Sequence, residues 1–312
     1  MADSPLPAGS PIATAPPERD RPSVDVVIPF LGSRDELEAT QRRLEALRLR
    51  AGDSLTVADN TPASNRRLDS GGWVRVLQAA DRRTPGFARN RAAARGDAEW
   101  LVFLDADVVP SPDLLDRYFA PPPGPRTALV GGGVIDEEVS PEAPIAARYA
   151  YLRGAMSQED TFSFGEWGYP KSANVACRRS AFEQVGGFRE DIRAAEDADL
   201  TYRLRAAGWE VERREAASVV HLNRATIRGL LRQKAMWGAG GAWIERTYPG
   251  SLPASGGPGL AWWALRETTR GLWRAAGRRD RDAAIFAVLR PLEAVAFEVG
   301  RRLSNERPLR PR

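Results

Sequence analysis

Apolar residues in the first third of the chain form short runs that alternate with amphipathic stretches. Because strands and helices alternate in this way, we expect an α/β fold with a mixed, mainly parallel sheet flanked by helices. The amphipathic stretches predict helices over residues 35–49 and 85–95. The apolar runs predict strands at residues 24–28, 55–58, 74–78 and 100–104.

The middle of the chain continues with shorter patterns. A Gly-rich apolar run predicts a further strand at residues 128–135. Residues 157–170, rich in aromatic residues and Gly, are expected to form a loop. The remaining elements are expected to be helices over 141–153, 178–186 and 195–206 and short strands at 209–212 and 218–221.

The last quarter of the chain contains two apolar stripes at helical spacing. One carries Trp262, Leu265 and Trp273, with arginines at a spacing of four on another face, and the second runs over residues 285–299. From residue 224 onward there are 17 Lys and Arg against 7 Asp and Glu, whereas the whole chain has a formal net charge of +4. The basic character therefore belongs to the C-terminal part.

These patterns divide the chain into three parts. Residues 1–22 contain six prolines and no apolar core, so they are expected to be a disordered tail. Residues 23–223 form the predicted α/β domain, and residues 224–312 form a basic, Trp-rich helical extension. The single cysteine, Cys177, excludes an internal disulfide and indicates a reducing, cytoplasmic compartment. No apolar stretch is long enough to span a bilayer, so any membrane contact is expected at the surface.

The predicted strand at residues 100–104 ends in two carboxylates, Asp105 and Asp107. Side chains two positions apart on a strand point to the same side, so both can face one ligand. Two hard oxygen donors can hold a divalent cation, which in turn can hold a diphosphate. Pro29 and Asp59 also follow predicted strands, and the carboxyl ends of parallel strands commonly form the ligand crevice. An alternative is that these carboxylates only solvate a loop or start a helix.

A second acidic pair, Glu196 and Asp197, lies at the start of a predicted helix. Carboxylates at a helix N-terminus are stabilised by the helix dipole, so a capping role is one interpretation. The other is that one carboxylate takes a proton from an attacking hydroxyl, which contributes about 10²–10⁴ in rate. The local sequence leaves both interpretations open.

The order of these motifs resembles that of family 2 glycosyltransferases. The resemblance covers about residues 24–223, and its opening motifs are Val26-Val27-Ile28-Pro29, Val57-Ala58-Asp59-Asn60, Gly86-Phe87-Ala88-Arg89-Asn90 and Phe103-Leu104-Asp105-Ala106-Asp107. It continues through Asn174-Val175-Ala176-Cys177-Arg178-Arg179, Val185-Gly186-Gly187-Phe188 and Glu196-Asp197-Ala198-Asp199-Leu200. Each motif is modest, but their order and spacing together are specific.

The resemblance implies a GT-A (Rossmann-like) fold and inverting transfer of a sugar from a nucleoside-diphosphate sugar, most commonly a UDP-sugar. By position, Asp59 would contact the nucleobase, Pro29 would belong to the nucleotide-sugar site, and Arg89 would support the nucleotide or its phosphates. Asp105 and Asp107 would hold a Mg²⁺ or Mn²⁺ ion, with His221 as a further ligand. Asp197 would be the general base, with Glu196 beside it. The residues expected on the acceptor side are Trp167, Asn174, Gln233 and Trp237.

One departure from the family pattern concerns polymer synthesis. Residues 233–237, Gln-Lys-Ala-Met-Trp, resemble the Gln-x-x-Arg-Trp motif of processive members, but Met236 replaces the arginine. This favours transfer of one or a few sugars to a glycan or lipid-linked acceptor.

Residues 255–312 have Trp on one face and Arg on another, which suits an anionic membrane surface at the cytoplasmic face. They could equally pack on the catalytic domain or form a homodimer interface. No nucleic-acid motif accompanies the basic residues, so a nucleic-acid partner is not expected.

Two other functions are compatible with a related fold. A sugar-phosphate nucleotidyltransferase would need a Gly-rich phosphate loop after the first strand, which Pro29-Phe30-Leu31-Gly32-Ser33-Arg34 does not supply. A catalytically silent binding or scaffold protein would not need the acidic residues Asp105, Asp107 and Asp197.

Overall fold

The computed structural model describes residues 21–62, 74–252 and 259–306. Its strands are β1 (Val24–Phe30), β2 (Ser54–Asp59), β3 (Arg75–Gln78), β4 (Trp100–Leu104), β5 (Val108–Pro110), β6 (Thr127–Asp136), β7 (Asn174–Arg178) and β8 (Glu210–His221). They form one sheet in the order β3-β2-β1-β4-β7-β6-β8-β5. Strands β1 to β4 are parallel to their neighbours within this group, and β6 is parallel to β8. Strand β7 is antiparallel to β4 and β6, and β5 is antiparallel to β8. The predicted α/β class is confirmed.

The helices flank this sheet and continue beyond it. They are α1 (Arg34–Leu44), α2 (Pro85–Ala93), α3 (Leu114–Tyr118), α4 (Ile145–Arg153), α5 (Glu159–Phe162), α6 (Arg179–Gln184), α7 (Glu196–Ala206), α8 (Ile227–Thr247), α9 (Leu260–Arg278) and α10 (Arg281–Gly300). Helix α1 begins with a capping box of Ser33 and Glu36. It ends five residues earlier than predicted, yet Leu47 in the following turn is still buried in the core.

The centre of the sheet is buried on both faces, which explains the unbroken apolar run of β4. In β4, Trp100, Val102 and Leu104 belong to the apolar cluster on one face. Leu101 and Phe103 belong to the cluster on the other face. A strand that is buried on both faces does not show the alternation of apolar and polar residues that marks a half-exposed strand.

Other local features of the sheet and its loops also differ from the sequence expectations. Strand β7 was not predicted, and it separates the parallel half of the sheet from β6 by pairing antiparallel to both neighbours. The two short strands expected near residues 209–221 are one strand, β8, with an irregular register opposite Gly132 and Gly133. The loop expected at 157–170 contains α5 and a 3₁₀ turn at Gly165–Trp167.

The expected disordered tail can be compared with the structure only at its end, because residues 1–20 lie outside the described ranges. Arg21, near the end of that tail, is anchored by its side chain. Its guanidinium donates to Asp53 Oδ1 at 2.9 Å and to Asp116 Oδ1 at 2.8 Å.

The C-terminal helices pack on the α/β part as well as on one another. Trp243 and Ile244 of α8 share an apolar cluster with Ile192, Ala198 and Tyr202. Helix α10 packs against α8, α9 and α4. Among the helices of the described ranges, none has a stretch long and apolar enough to cross a membrane.

Candidate active site

The sheet order brings three sequence-predicted positions to one edge. Strands β2, β1 and β4 are parallel neighbours, so their carboxyl ends lie side by side. Asp59 ends β2 and is fully buried, and its Oδ1 accepts a hydrogen bond from the backbone N–H of Thr61 at 2.9 Å. Pro29 was expected to end β1. It lies instead within the strand, opposite Ala58, and Phe30 is the last strand residue.

Arg89 joins the two acidic motifs. Thr84 caps α2 and Pro85 is its first residue, and Arg89 is a buried residue of this short helix. One guanidinium nitrogen lies 2.7 Å from Asp105 Oδ1 and the other lies 2.7 Å from Glu196 Oε1. The sequence resemblance placed Arg89 against the nucleotide phosphates, whereas in this structure its guanidinium is buried as a bridge. Helix α7 is thereby held against the Asp105 edge of the sheet.

Glu196 and Asp197 occupy different environments. Glu196 is buried against Arg89, and burial raises the pKa of its carboxyl to about 7 despite the opposing charge of Arg89. Asp197 is half-buried, and its carboxylate accepts from the backbone N–H groups of Ala198 at 2.9 Å and Ser172 at 3.4 Å. Burial also raises the pKa of Asp197, against these two hydrogen bonds. Asp197 is therefore the carboxylate of the pair that is not committed to an arginine.

Asp107 faces His221 rather than Arg89. The distance from Asp107 Oδ2 to His221 Nε2 is 3.6 Å, and Nδ1 of the same ring lies 3.2 Å from Asp136 Oδ1. Burial favours the neutral imidazole, but the two carboxylates outweigh it and raise the pKa of His221 to about 9. Conversely, although burial opposes it, the contact with His221 lowers the pKa of Asp107.

This arrangement fits a divalent cation. Asp107 Oδ2 and His221 Nε2 lie 3.6 Å apart and are an oxygen and a nitrogen of the kind that bind such a cation. Asp136 contacts the other ring nitrogen, as is usual for a histidine that binds metal. The ion pair with Arg89 uses Oδ1 of Asp105, which leaves its Oδ2 for a cation. Within the described ranges, no three His, Cys, Asp or Glu side chains already converge as a metal site.

Of the residues expected on the acceptor side, Trp167, Gln233 and Trp237 are partly accessible, whereas Asn174 is buried in the fold. Trp167 packs edge-on against Tyr202 of α7 at 5.0 Å, so it borders the helix that carries Asp197. Trp237 is partly buried on α8 with Lys234 Nζ 4.4 Å from its ring, and Gln233 is half-buried nearby. Asn174 is different, because its fully buried amide bonds Tyr118, Gly133 and Ala217 and so braces the sheet beneath the site.

Two neighbours of the candidate metal position were missed by the sequence reasoning. Asp136 ends β6 just as Asp59 ends β2, so the strand-end pattern could have indicated it. Arg224 lies 4.0 Å from Asp107 Oδ2, in a turn after β8 that has no recognisable pattern.

Residues 52–240 match the family model described as glycosyltransferase like family 2. The pre-mycofactocin glycosyltransferase of Mycobacterium tuberculosis is 30% identical over 271 residues, which cover 84% of this chain. The chain spans 56% of that relative's length. The succinoglycan biosynthesis protein ExoA of Rhizobium meliloti is 26% identical over 306 residues, covering 88% of this chain and 92% of ExoA.

A solved structure shows the same fold. The mannosyltransferase PcManGT from Pyrobaculum calidifontis, determined in complex with GDP-Man and Mn²⁺, superposes with a TM-score of 0.60. The match covers 93% of this chain and 90% of that one at 16% sequence identity. The predicted GT-A fold is confirmed by this likeness, and at that identity it establishes the fold alone.

Proposed function

Because the chain belongs to glycosyltransferase-like family 2, we propose that it is an inverting, metal-dependent glycosyltransferase. It transfers one or a few sugars from a nucleoside-diphosphate sugar, a UDP-sugar first among the candidates, to a hydroxyl of a glycan or lipid-linked acceptor. The observation that carries this proposal is the Arg89 bridge, which holds the helix of Asp197 against the Asp105 edge. Donor and acceptor chemistry can then meet in one crevice.

Asp197 is the general base of the proposed reaction. Its carboxylate is half-buried and held by two backbone N–H groups, so it keeps a fixed direction and can accept the proton of the attacking hydroxyl. Glu196 does not serve as the base, because Arg89 occupies it. Glu196 and Arg89 instead orient the start of α7.

Asp107, His221 and Asp105 are the proposed cation ligands. When bound, Mg²⁺ or Mn²⁺ supplies positive charge that stabilises the departing nucleoside diphosphate. PcManGT, the structural relative, was solved with GDP-Man and Mn²⁺, which supports a cation of this kind. Asp136 keeps Nε2 of His221 directed at the cation position by binding Nδ1.

A donor screen tests this function. The purified chain is incubated with UDP-, GDP- and TDP-sugars, with Mn²⁺ or with EDTA, and release of nucleoside diphosphate is measured. We expect release from at least one donor that requires the cation. Formation of a nucleotide sugar from a nucleoside triphosphate and a sugar 1-phosphate would indicate a nucleotidyltransferase instead. Binding of donors without release or transfer to any acceptor would indicate a silent scaffold.

We also propose that α9 docks the enzyme on an anionic membrane surface at the cytoplasmic face. Its inner face packs on α10, where Gly271 lies against Ala287. On its outer face Trp262 is 67% exposed and Trp273 is 80% exposed, with Leu265 between them. Arg266, Arg270 and Arg274 are exposed along the flank of this apolar stripe. Exposed Trp beside Arg on a helix matches the chemistry of the headgroup region of anionic bilayers.

Vesicle flotation tests this docking. We expect the protein to float with vesicles that contain phosphatidylglycerol and to float less with pure phosphatidylcholine. The double variant Trp262→Ser/Trp273→Ser should lose flotation, whereas Ile145→Ser, an exposed apolar change on α4, should not. If the wild type does not float and is instead a dimer that this double variant dissociates, α9 is a homodimer interface and the docking proposal is wrong.

A further inference from the structure

The turn that precedes Glu196 and Asp197 is held from the far end of the sequence. Asn305 is almost completely buried, and its Oδ1 accepts from the backbone N–H of Ala194 at 3.1 Å and of Arg193 at 3.3 Å. Its Nδ2 donates to the carbonyl of Ala194 at 2.9 Å. Two backbone contacts add to these side-chain bonds. The N–H of Arg193 donates to the carbonyl oxygen of Asn305 at 3.0 Å, and Ile192 forms an antiparallel bridge with Glu306.

This turn has a backbone conformation that needs support. Ala195 has φ +67° and ψ +17°, the left-handed region that a residue with a Cβ rarely adopts. It is the residue immediately before Glu196, so its dihedral angles determine how α7 begins and where Asp197 is directed. On the other side of the turn, a Cβ at Gly240 of α8 would lie 2.9 Å from the Ala194 Cβ. The turn is therefore held between α8 and the segment of residues 304–306.

The segment of residues 304–306 is itself rigidly placed, since α10 and α8 approach very closely. A Cβ at Gly238 would lie 1.9 Å from the Phe297 carbonyl oxygen, and one at Gly300 would lie 1.9 Å from the Ala235 carbonyl oxygen. Only glycine permits this backbone contact at both positions. Asn305 follows five residues after Gly300, so the packing of the two helices fixes where its amide is presented.

We propose that Asn305 is a positioning residue for catalysis, which holds Ala195 in its left-handed conformation and so aims the Asp197 carboxylate at the acceptor hydroxyl. The inference rests on the proposed function, in which Asp197 is the base. Asn305 contacts neither substrate nor cation in this scheme. It acts through the backbone of residues 193 and 194, which precede Ala195, and its loss affects proton transfer more than donor binding.

The test compares Asn305→Asp with wild type. The aspartate keeps the acceptor oxygen and the size of the side chain but replaces the N–H that donates to the Ala194 carbonyl. We expect kcat for transfer to fall at least tenfold, while KM for the donor and the affinity for nucleoside diphosphate with Mn²⁺ change less than twofold. Truncation after residue 303 should reproduce the loss, and truncation after residue 306 should not.

Hydrogen exchange provides a readout that does not depend on activity. We expect faster amide exchange over residues 192–199 in Asn305→Asp and unchanged exchange in α2. Unchanged exchange at residues 192–199, or a kcat within twofold of wild type, overturns the positioning role. A parallel loss of kcat and nucleotide affinity also overturns it, because it would mean general unfolding of the site. If Asp197→Asn alone keeps full turnover, the proposed base is wrong and the catalytic role of Asn305 is wrong with it, whereas the exchange experiment still decides whether Asn305 holds the turn of residues 192–195.

Discussion

Replacing Glu196 with Gln measures how much ionisation of this buried carboxyl lowers the free energy of unfolding. Gln has the same size and can still accept a hydrogen bond from Arg89, but it cannot ionise. The change therefore mimics the protonated form of Glu196 at every pH. Glu45→Gln, on the exposed surface after α1, is the matched control.

The magnitude follows from the pKa. Burial raises the pKa of Glu196 from 4.5 to about 7, so between these two values the folded protein holds a proton that the unfolded chain has released. Stability then falls as pH rises through this range, because ionisation in the fold is disfavoured. A pKa difference of this size corresponds to a loss of about 3 kcal/mol in the free energy of unfolding. The loss is complete above about pH 8, and none of it has occurred below about pH 4.

Urea denaturation at pH 5 and pH 8 provides the assay. Part of the loss has already occurred at pH 5, so we expect the wild type to lose about 2–3 kcal/mol more between these two values than Glu196→Gln does. Glu45→Gln should follow the wild type. Equal pH dependence of Glu196→Gln and wild type would refute the electrostatic reasoning about this pair. Transfer activity of Glu196→Gln should remain measurable, because Glu196 is assigned to orienting α7.

Three other changes probe neighbouring contacts. Arg89→Met leaves Asp105 and Glu196 without the guanidinium that bridges them, and we expect the free energy of unfolding in urea to fall by about 3–5 kcal/mol. An unchanged denaturation midpoint would mean that the bridge does not stabilise the fold. Asp136→Asn removes the partner that orients His221, and Mn²⁺ affinity measured by calorimetry with nucleoside diphosphate should fall about 10–100-fold; equal affinity would argue against His221 as a ligand. Gly238→Ala forces a Cβ onto a backbone carbonyl of α10 and should cost about 1–3 kcal/mol, while Gly277→Ala, which meets nothing within 4 Å, should cost nothing.

The parallel half of the fold could be predicted from the sequence because apolar residues predominate in its strands and β4 is a continuous apolar run. Residues 100–104 read directly as a strand, since both faces of β4 are buried. Strand β7 could not be found in the same way, because residues 174–178 mix Asn, Ala, Cys and Arg and owe their extended form to pairing with β4 and β6. Tertiary pairing there overrides local propensity.

The carboxylates of the candidate site could be singled out from the sequence, but the contact of Arg89 with Glu196 and that of Asn305 with Ala194 could not. Asp105, Asp107, Glu196 and Asp197 stand in short motifs at element ends. The Arg89 bridge spans 107 residues to Glu196, and Asn305 lies 111 residues from Ala194. No local pattern encodes such contacts, because they exist only when the chain has folded.

The central claim is that Asp197 takes the acceptor proton, and the variant Asp197→Asn tests it most directly. With the donor and acceptor found by the screen, kcat for transfer and affinity for nucleoside diphosphate with Mn²⁺ are measured side by side. We expect kcat to fall by about 10²–10⁴ and nucleotide affinity to stay within twofold of wild type. Turnover within a few-fold of wild type would contradict the assignment of the base and, with it, the proposed chemistry of the site.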